Sequence, residues 1–137
     1  MKRLLIVLAC LCAPLFGVLE VGDSAPGDMC WTDRHEQRIC LGEIRGAVVV
    51  LIYNTGWCPG CNDEMSEISR RFSEMKGKPA LFFSLSSESY TKGGAPDKAF
   101  LDDWQKKHSI PFIVAASPKD AGKSFFKPPY YIPSVVV

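Results

Sequence analysis

The segment AVVVLIY, Ala47 to Tyr53, constrains the fold of this chain most, because it has no polar break. A strand turns successive side chains to opposite faces, so an unbroken apolar run must be covered on both sides, as a central strand in a layered sheet is. Directly after it comes NTGWCPGCNDE, residues 54 to 64, and then a helical pattern from Pro59 to Met75. Cys61, Met65, Ile68, Phe72 and Met75 recur there at three- and four-residue steps. Pro59 suits the first helical position, and Gly77 with Pro79 stops the helix. Two cysteines therefore fall at a strand-to-helix junction.

The rest of the chain continues the alternation. ALFFSLS, Ala80 to Ser86, reads as a second buried strand. A helix is predicted from Asp97 to His108, with Phe100, Leu101 and Trp104 on one face, followed by a short strand in FIVAAS. Ser117 to Asp120 has capping-box spacing before a short helix, and IPSVVV begins a last strand. Upstream, MCWTDRHEQRIC reads as a hairpin turning over Asp33 to Gln37. This order predicts an α/β sheet with helices on both faces and a right-handed crossover between the two long strands.

The 137 residues suffice for one domain, and 47% hydrophobic with 23% charged residues is a globular composition. A net charge of +1 offers no surface for nucleic acid, and the pairs Arg70-Arg71 and Lys106-Lys107 read as solvated helix faces. The N-terminus differs. Lys2-Arg3 precede an uncharged run from Leu4 to Leu19 broken by Pro14, the pattern of an export signal or N-terminal anchor. VLAC, ending at Cys10, faintly resembles a lipoprotein box, and cleavage after Gly17 is an alternative. Residues 1–19 are assigned to this segment and 20–137 to the folded domain. Of the six cysteines, four then remain in a compartment where disulfides persist: Cys30, Cys40, Cys58 and Cys61.

The spacing Cys58-Pro59-Gly60-Cys61 admits several chemistries. A c-type haem site needs histidine next, and Asn62 stands there. Zinc would need all four cysteines, with His35 in reserve, but the spacing of Cys30 and Cys40 is not that of a zinc knuckle. A purely structural bond across two residues closes too small a loop to gain much chain entropy. A redox pair fits best. At a helix N-terminus the unpaired N–H groups favour thiolate at Cys58, which attacks a disulfide, while Cys61 resolves the mixed disulfide.

These residues resemble the thioredoxin superfamily, specifically its exported TlpA/ResA-type thiol–disulfide oxidoreductases and their AhpC/TSA-like relatives. The resemblance spans residues 25 to 137: an Ala25-Pro26 opening, the added hairpin, the strand beginning at Ala47, Trp57-Cys58-Pro59-Gly60-Cys61, and Ile132-Pro133-Ser134. It implies a thioredoxin-like α/β fold with an added N-terminal β-hairpin; the family's last strand and C-terminal helix are expected to be lacking, the chain being either a fragment or completed at its sheet edge another way. It implies that Glu64 tunes proton transfer to Cys61 and that Pro133 is a cis-proline holding the partner's backbone. The bland alternatives are an exposed helix carboxylate and a trans proline. Two departures stand out: Pro59-Gly60 does not end in proline, and Ser66 replaces a helix proline. No cofactor is expected. The expected partners are protein disulfides or thiols and an upstream thiol reductant, and the chain is expected to be a monomer, tethered to a membrane if the N-terminal segment is retained.

Cys30 and Cys40 face each other if the hairpin turns near His35, which makes a structural disulfide the favoured reading and a second, relaying redox pair the alternative. Trp57 is expected to cover the site's edge, Trp31 and Trp104 to pack in the core or hairpin, and His35 and His108 to face solvent. The function expected is reduction or exchange of envelope-protein disulfides, as in cytochrome c maturation. A peroxiredoxin is the first rival, since PGCNDE resembles PGCTxE with Cys61 at the peroxidatic place. Cys58 stands where that motif has threonine, and no arginine occurs between Lys119 and Val137. A metal-carrying module on the same scaffold is the second rival.

Overall fold

The computed structural model describes residues 18–118 and 120–137; most of the expected export segment, including Cys10, lies outside them. The apolar run becomes β3 (Val48–Thr55), buried from Val50 onward, and pairs in parallel with β4 (Ala80–Glu88). Both strands run two residues past the apolar runs that announce them. Asn54 explains how: its amide Nδ2 donates to Ser84 Oγ (2.9 Å), and Ser86 Oγ donates to Asn54 Oδ1 (2.6 Å). A buried polar group is tolerated when its partners are buried with it.

With β1 (Cys30–Asp33), β2 (Arg38–Cys40), β5 (Ile113–Ala116) and β6 (Ser134–Val136), the strands form one sheet in the order β2-β1-β5-β4-β3-β6. β4 and β5 are parallel, whereas β1 runs antiparallel to β5 and β6 antiparallel to β3. The hairpin forms because Asp33 organises its turn: Oδ1 accepts from the backbone N–H of His35 and of Gln37, both at 2.8 Å. Cys30 and Cys40 are direct cross-strand partners and are joined as a disulfide. Since Thr32 is level with Ala116, that bond lies beyond the carboxyl end of β5, at the sheet edge where β3 runs into the cysteine pair.

Helix α1 (Pro59–Arg71) changes to a 3-10 turn over Phe72–Met75 and ends before Gly77, which adopts φ +84°. Gly46, at φ +73°, makes the corresponding turn into β3. Helix α2 (Lys98–Lys107) starts at Asp97, whose side chain accepts from the Phe100 N–H at 2.8 Å.

The expectation of α-helices on both faces is corrected. Met65 of α1 and Phe100, Leu101 and Trp104 of α2 all pack with Val50, Ile52 and Val114 on one face. The opposite face, Leu51, Tyr53, Phe83 and Leu85, is covered by Trp31, Leu41, Phe125 and Phe126. The short helix after Ser117 is only a 3-10 turn, Ala121–Ser124, without a side-chain cap; Asp120 instead pairs with Lys123 at 2.6 Å. His108 is also corrected. It is 7% exposed, its ring packs 4.3 Å from Trp104, and Nδ1 lies 2.8 Å from Ser66 Oγ. Burial, aided by Lys107, lowers its pKa. Trp31 and Trp104 are core residues, and His35 is exposed, as expected.

The disulfide closes a loop of sequence separation 10. Chain entropy assigns such a loop about 2.5–3 kcal/mol, so replacing Cys30 and Cys40 together by serine should lower unfolding free energy by about that much, read from urea midpoints.

Candidate active site

Cys58 is the N-cap of α1, in extended conformation, and its Sγ accepts the Cys61 N–H at 3.2 Å. Both cysteines are free; Cys58 is 7% exposed and Cys61 1%. Pro59 supplies the first helical residue, where a missing N–H costs nothing. The turn depends on Gly56, a residue the motif reading passes over. A Cβ there would meet Phe100 Cε2 at 2.6 Å and backbone atoms of Ser89 and Tyr90 at 2.9 Å. The strand can reach the helix only along this path.

The Ile132–Pro133 peptide is cis, as is Pro128–Pro129. This segment lies against the pair. Cys58 Sγ–H points at the Ile132 carbonyl oxygen at 3.9 Å, and Pro133 Cδ is 3.5 Å from where a Gly60 Cβ would be. A tryptophan holds the outer edge: Trp57 Nε1 donates to Glu88 Oε2 at 2.6 Å, and the same oxygen accepts the Gly93 N–H at 2.7 Å. Lys92 Nζ sits 5.3 Å from the Trp57 ring centre. Tyr130 and Tyr131 stand exposed beside Ile132, around a recess of about 150 Å³ floored by Tyr53 and Phe126.

Burial pushes the Cys61 thiol up to about 12, with further elevation from its hydrogen bond to Cys58 and from the negative charge of Cys58 and Glu64; a backbone hydrogen bond from Thr55 opposes them. Glu64 lies one helical step on. Its Oε2 is shut off from water without a hydrogen-bond partner, and this desolvation raises its pKa. Of the sequence-derived residues, Cys58, Cys61, Glu64 and Pro133 thus share one locality. Cys30 and Cys40 stand apart, three and four strand positions from β3 across the sheet. Their sulfurs are bonded to each other, so they offer no thiolates to a metal. Among the described residues, no group of three or more His, Cys, Asp or Glu could hold a metal ion.

This architecture is a thioredoxin-like fold with a dithiol at its strand-to-helix junction. The family model described as AhpC/TSA matches residues 21–126, and the chain belongs to that family. Comparison with curated proteins found no match. Among solved structures, a candidate protein disulfide isomerase from Bacteroides thetaiotaomicron superposes with a TM-score of 0.69 at 18% identity, covering 87% of this chain and 72% of that one. A secreted Mycobacterium tuberculosis disulfide oxidoreductase homologous to E. coli DsbE gives 0.55 at 16% identity, covering 71% and 66%. The bacterioferritin comigratory protein of Xanthomonas campestris, studied for alkyl peroxide reduction, gives 0.54 at 14%, covering 72% and 56%. At these identities the likeness establishes the fold.

The Glu64 geometry yields a signed expectation. With its folded pKa raised above the usual 4.5, the folded chain keeps a proton that the unfolded chain releases. Stability then falls as pH rises from about 4.5 through the folded value. Glu64→Gln should remove that fall, seen as urea midpoints that no longer decline over this range.

Proposed function

We propose that this chain is an exported thiol–disulfide oxidoreductase that reduces or exchanges disulfides of envelope proteins, with cytochrome c maturation as a setting of that kind. The observation that carries the reading is the free pair itself. Cys58 accepts a hydrogen bond at a helix start, and Cys61 lies one turn deeper beside an unpartnered carboxyl. Cys58 thiolate attacks one sulfur of a partner disulfide; a mixed disulfide forms, and the partner's other sulfur leaves as thiolate with the electron pair. Pro133 and the Ile132 carbonyl line the approach and hold the partner's backbone there.

The elevation of Cys61 fits this order of events. While Cys58 is free, burial keeps Cys61 protonated, and the hydrogen bond to Cys58 and the charge of Cys58 add to that. Once the Cys58 sulfur is committed to a mixed disulfide its charge is gone, and those two contributions go with it. Glu64 then takes the Cys61 proton, Cys61 attacks Cys58, and the second partner thiolate is released. The partner gains two electrons, the pair ends as a disulfide, and an upstream thiol reductant restores it. Cys30–Cys40 serves as a structural staple. Export is in keeping with the basic, apolar N-terminus and the secreted DsbE-like neighbour. No described helix is long and apolar enough to cross a membrane.

The peroxidase reading draws on the Xanthomonas campestris neighbour. Against it, the peroxidatic place falls on Cys61, which is 1% exposed and held as a thiol, whereas a peroxidatic cysteine must meet peroxide as thiolate.

Two experiments check the proposal. Cys61→Ser should trap partner proteins as mixed disulfides through Cys58, and Cys58→Ser should trap few; equal trapping would reverse or abolish the assigned roles. Under graded reduction followed by alkylation and mass spectrometry, Cys58–Cys61 should open well before Cys30–Cys40. Simultaneous opening would favour a relay between the two pairs.

A further inference from the structure

Asn62 follows the second cysteine, and neither the motif nor the exchange chemistry gives it a task. Its side chain nevertheless has three partners. Nδ2 donates to the carbonyl oxygens of Cys58 (2.8 Å) and Gly56 (3.2 Å), while Oδ1 accepts from Lys107 Nζ at 2.8 Å. These partners fix the amide's orientation. Turned over, it would set its oxygen against two carbonyls and its NH2 against an ammonium. Lys107 is in turn placed by two aromatic rings, with Nζ 4.9 Å from the Tyr90 centre and 5.9 Å from that of Trp104.

The electrostatic consequence falls on Cys58. A carbonyl oxygen is the negative end of a dipole, and here one belongs to the attacking residue and another lies two residues before it. Both oppose negative charge developing on the neighbouring sulfur. Asn62 places an amide hydrogen on each, and the Lys107 ammonium polarises the amide so that those hydrogens donate more strongly. The same bonds hold residues 56–58 in the shape from which the sulfur reaches the Cys61 N–H.

We propose that Asn62, oriented by Lys107, is a positioning residue for thiol–disulfide exchange: by clamping the Gly56 and Cys58 carbonyls it makes Cys58 a faster attacking group and the cysteine pair more oxidising. This rests on the reading of Cys58 and Cys61 as a redox pair. Neither Asn62 nor Lys107 exchanges atoms or electrons; the S–S bond formed by Cys58 and the one broken in the partner balance between themselves.

The test is the equilibrium of the full chain with glutathione buffers, together with the alkylation rate of reduced Cys58 by iodoacetamide at fixed pH. Asn62→Ala should shift the equilibrium toward the disulfide about tenfold, or about 30 mV, and slow alkylation. Lys107→Met, which keeps the stem on the rings, should act in the same direction by roughly threefold, since an exposed cation is partly screened. Lys107→Arg should retain the wild-type values. Because Lys107 acts through Asn62, the double variant should match Asn62→Ala alone. A merely structural role would lower the melting temperature and leave potential and alkylation rate where they were. If the wild type equilibrates and Asn62→Ala leaves both unchanged, the positioning role is wrong and the exchange reading stands. Full additivity in the double variant would overturn the part assigned to Lys107. A wild-type pair that never equilibrates with glutathione would remove the oxidoreductase reading, and this proposal with it.

Discussion

β3 is hydrogen-bonded along both edges, to β4 on one side and β6 on the other, and its residues from Val50 to Thr55 are buried. A slip of one residue would exchange the faces of every side chain, moving Tyr53 into the helical layer and Asn54 away from Ser84 and Ser86. Those hydrogen bonds fix the register with β4 up to Asn54, just before it shifts between Asn54 and Thr55 and the chain leaves the sheet. Gly56, Trp57 and Cys58 are the next three residues. Their positions follow from the strand's register and from the narrow passage that only glycine can take past Phe100.

The exclusion of water that holds this sheet together also sets the chemistry beside it. One helical turn carries Cys61 and Glu64 from the exposed start of α1 into the layer containing Met65, and desolvation is the first cause of elevated pKa at both. Burial thus raises both pKa values, and the charge of Glu64 adds to the elevation at Cys61. The proton transfer proposed for this pair, and the case against a peroxidatic Cys61, both rest on this shared desolvation.

Much of this was legible in the sequence because it depends on local patterns. The buried run at Ala47 to Tyr53, the helix opened by Pro59 and the cross-strand placement of Cys30 and Cys40 each follow from periodicity or turn chemistry within a few residues. The side of the sheet on which α2 lies was not legible, since its apolar stripe of Phe100, Leu101 and Trp104 would suit either face. Hydropathy also misplaced His108. It is carried inward by an edge-to-face contact with Trp104 and by Ser66, a residue 42 positions earlier. Asn54 escaped for a similar reason: it reads as the polar end of a strand, and only Ser84 and Ser86 show it to be interior. The Lys107–Asn62 contact, across 45 residues, leaves no local signature at all.

The sheet is polarised. The cysteine pair and the Cys30–Cys40 bond both occupy the carboxyl edge, whereas Gly46 and Gly77 make the turns into β3 and β4 at the amino edge. Neither glycine has a heavy atom within 4 Å of the position a Cβ would take. An anchoring peptide inserted at either turn would leave the sulfur chemistry on the far side of the molecule. Copies fixed to an electrode through that insertion would form an oriented layer, each presenting the same redox face to the solution.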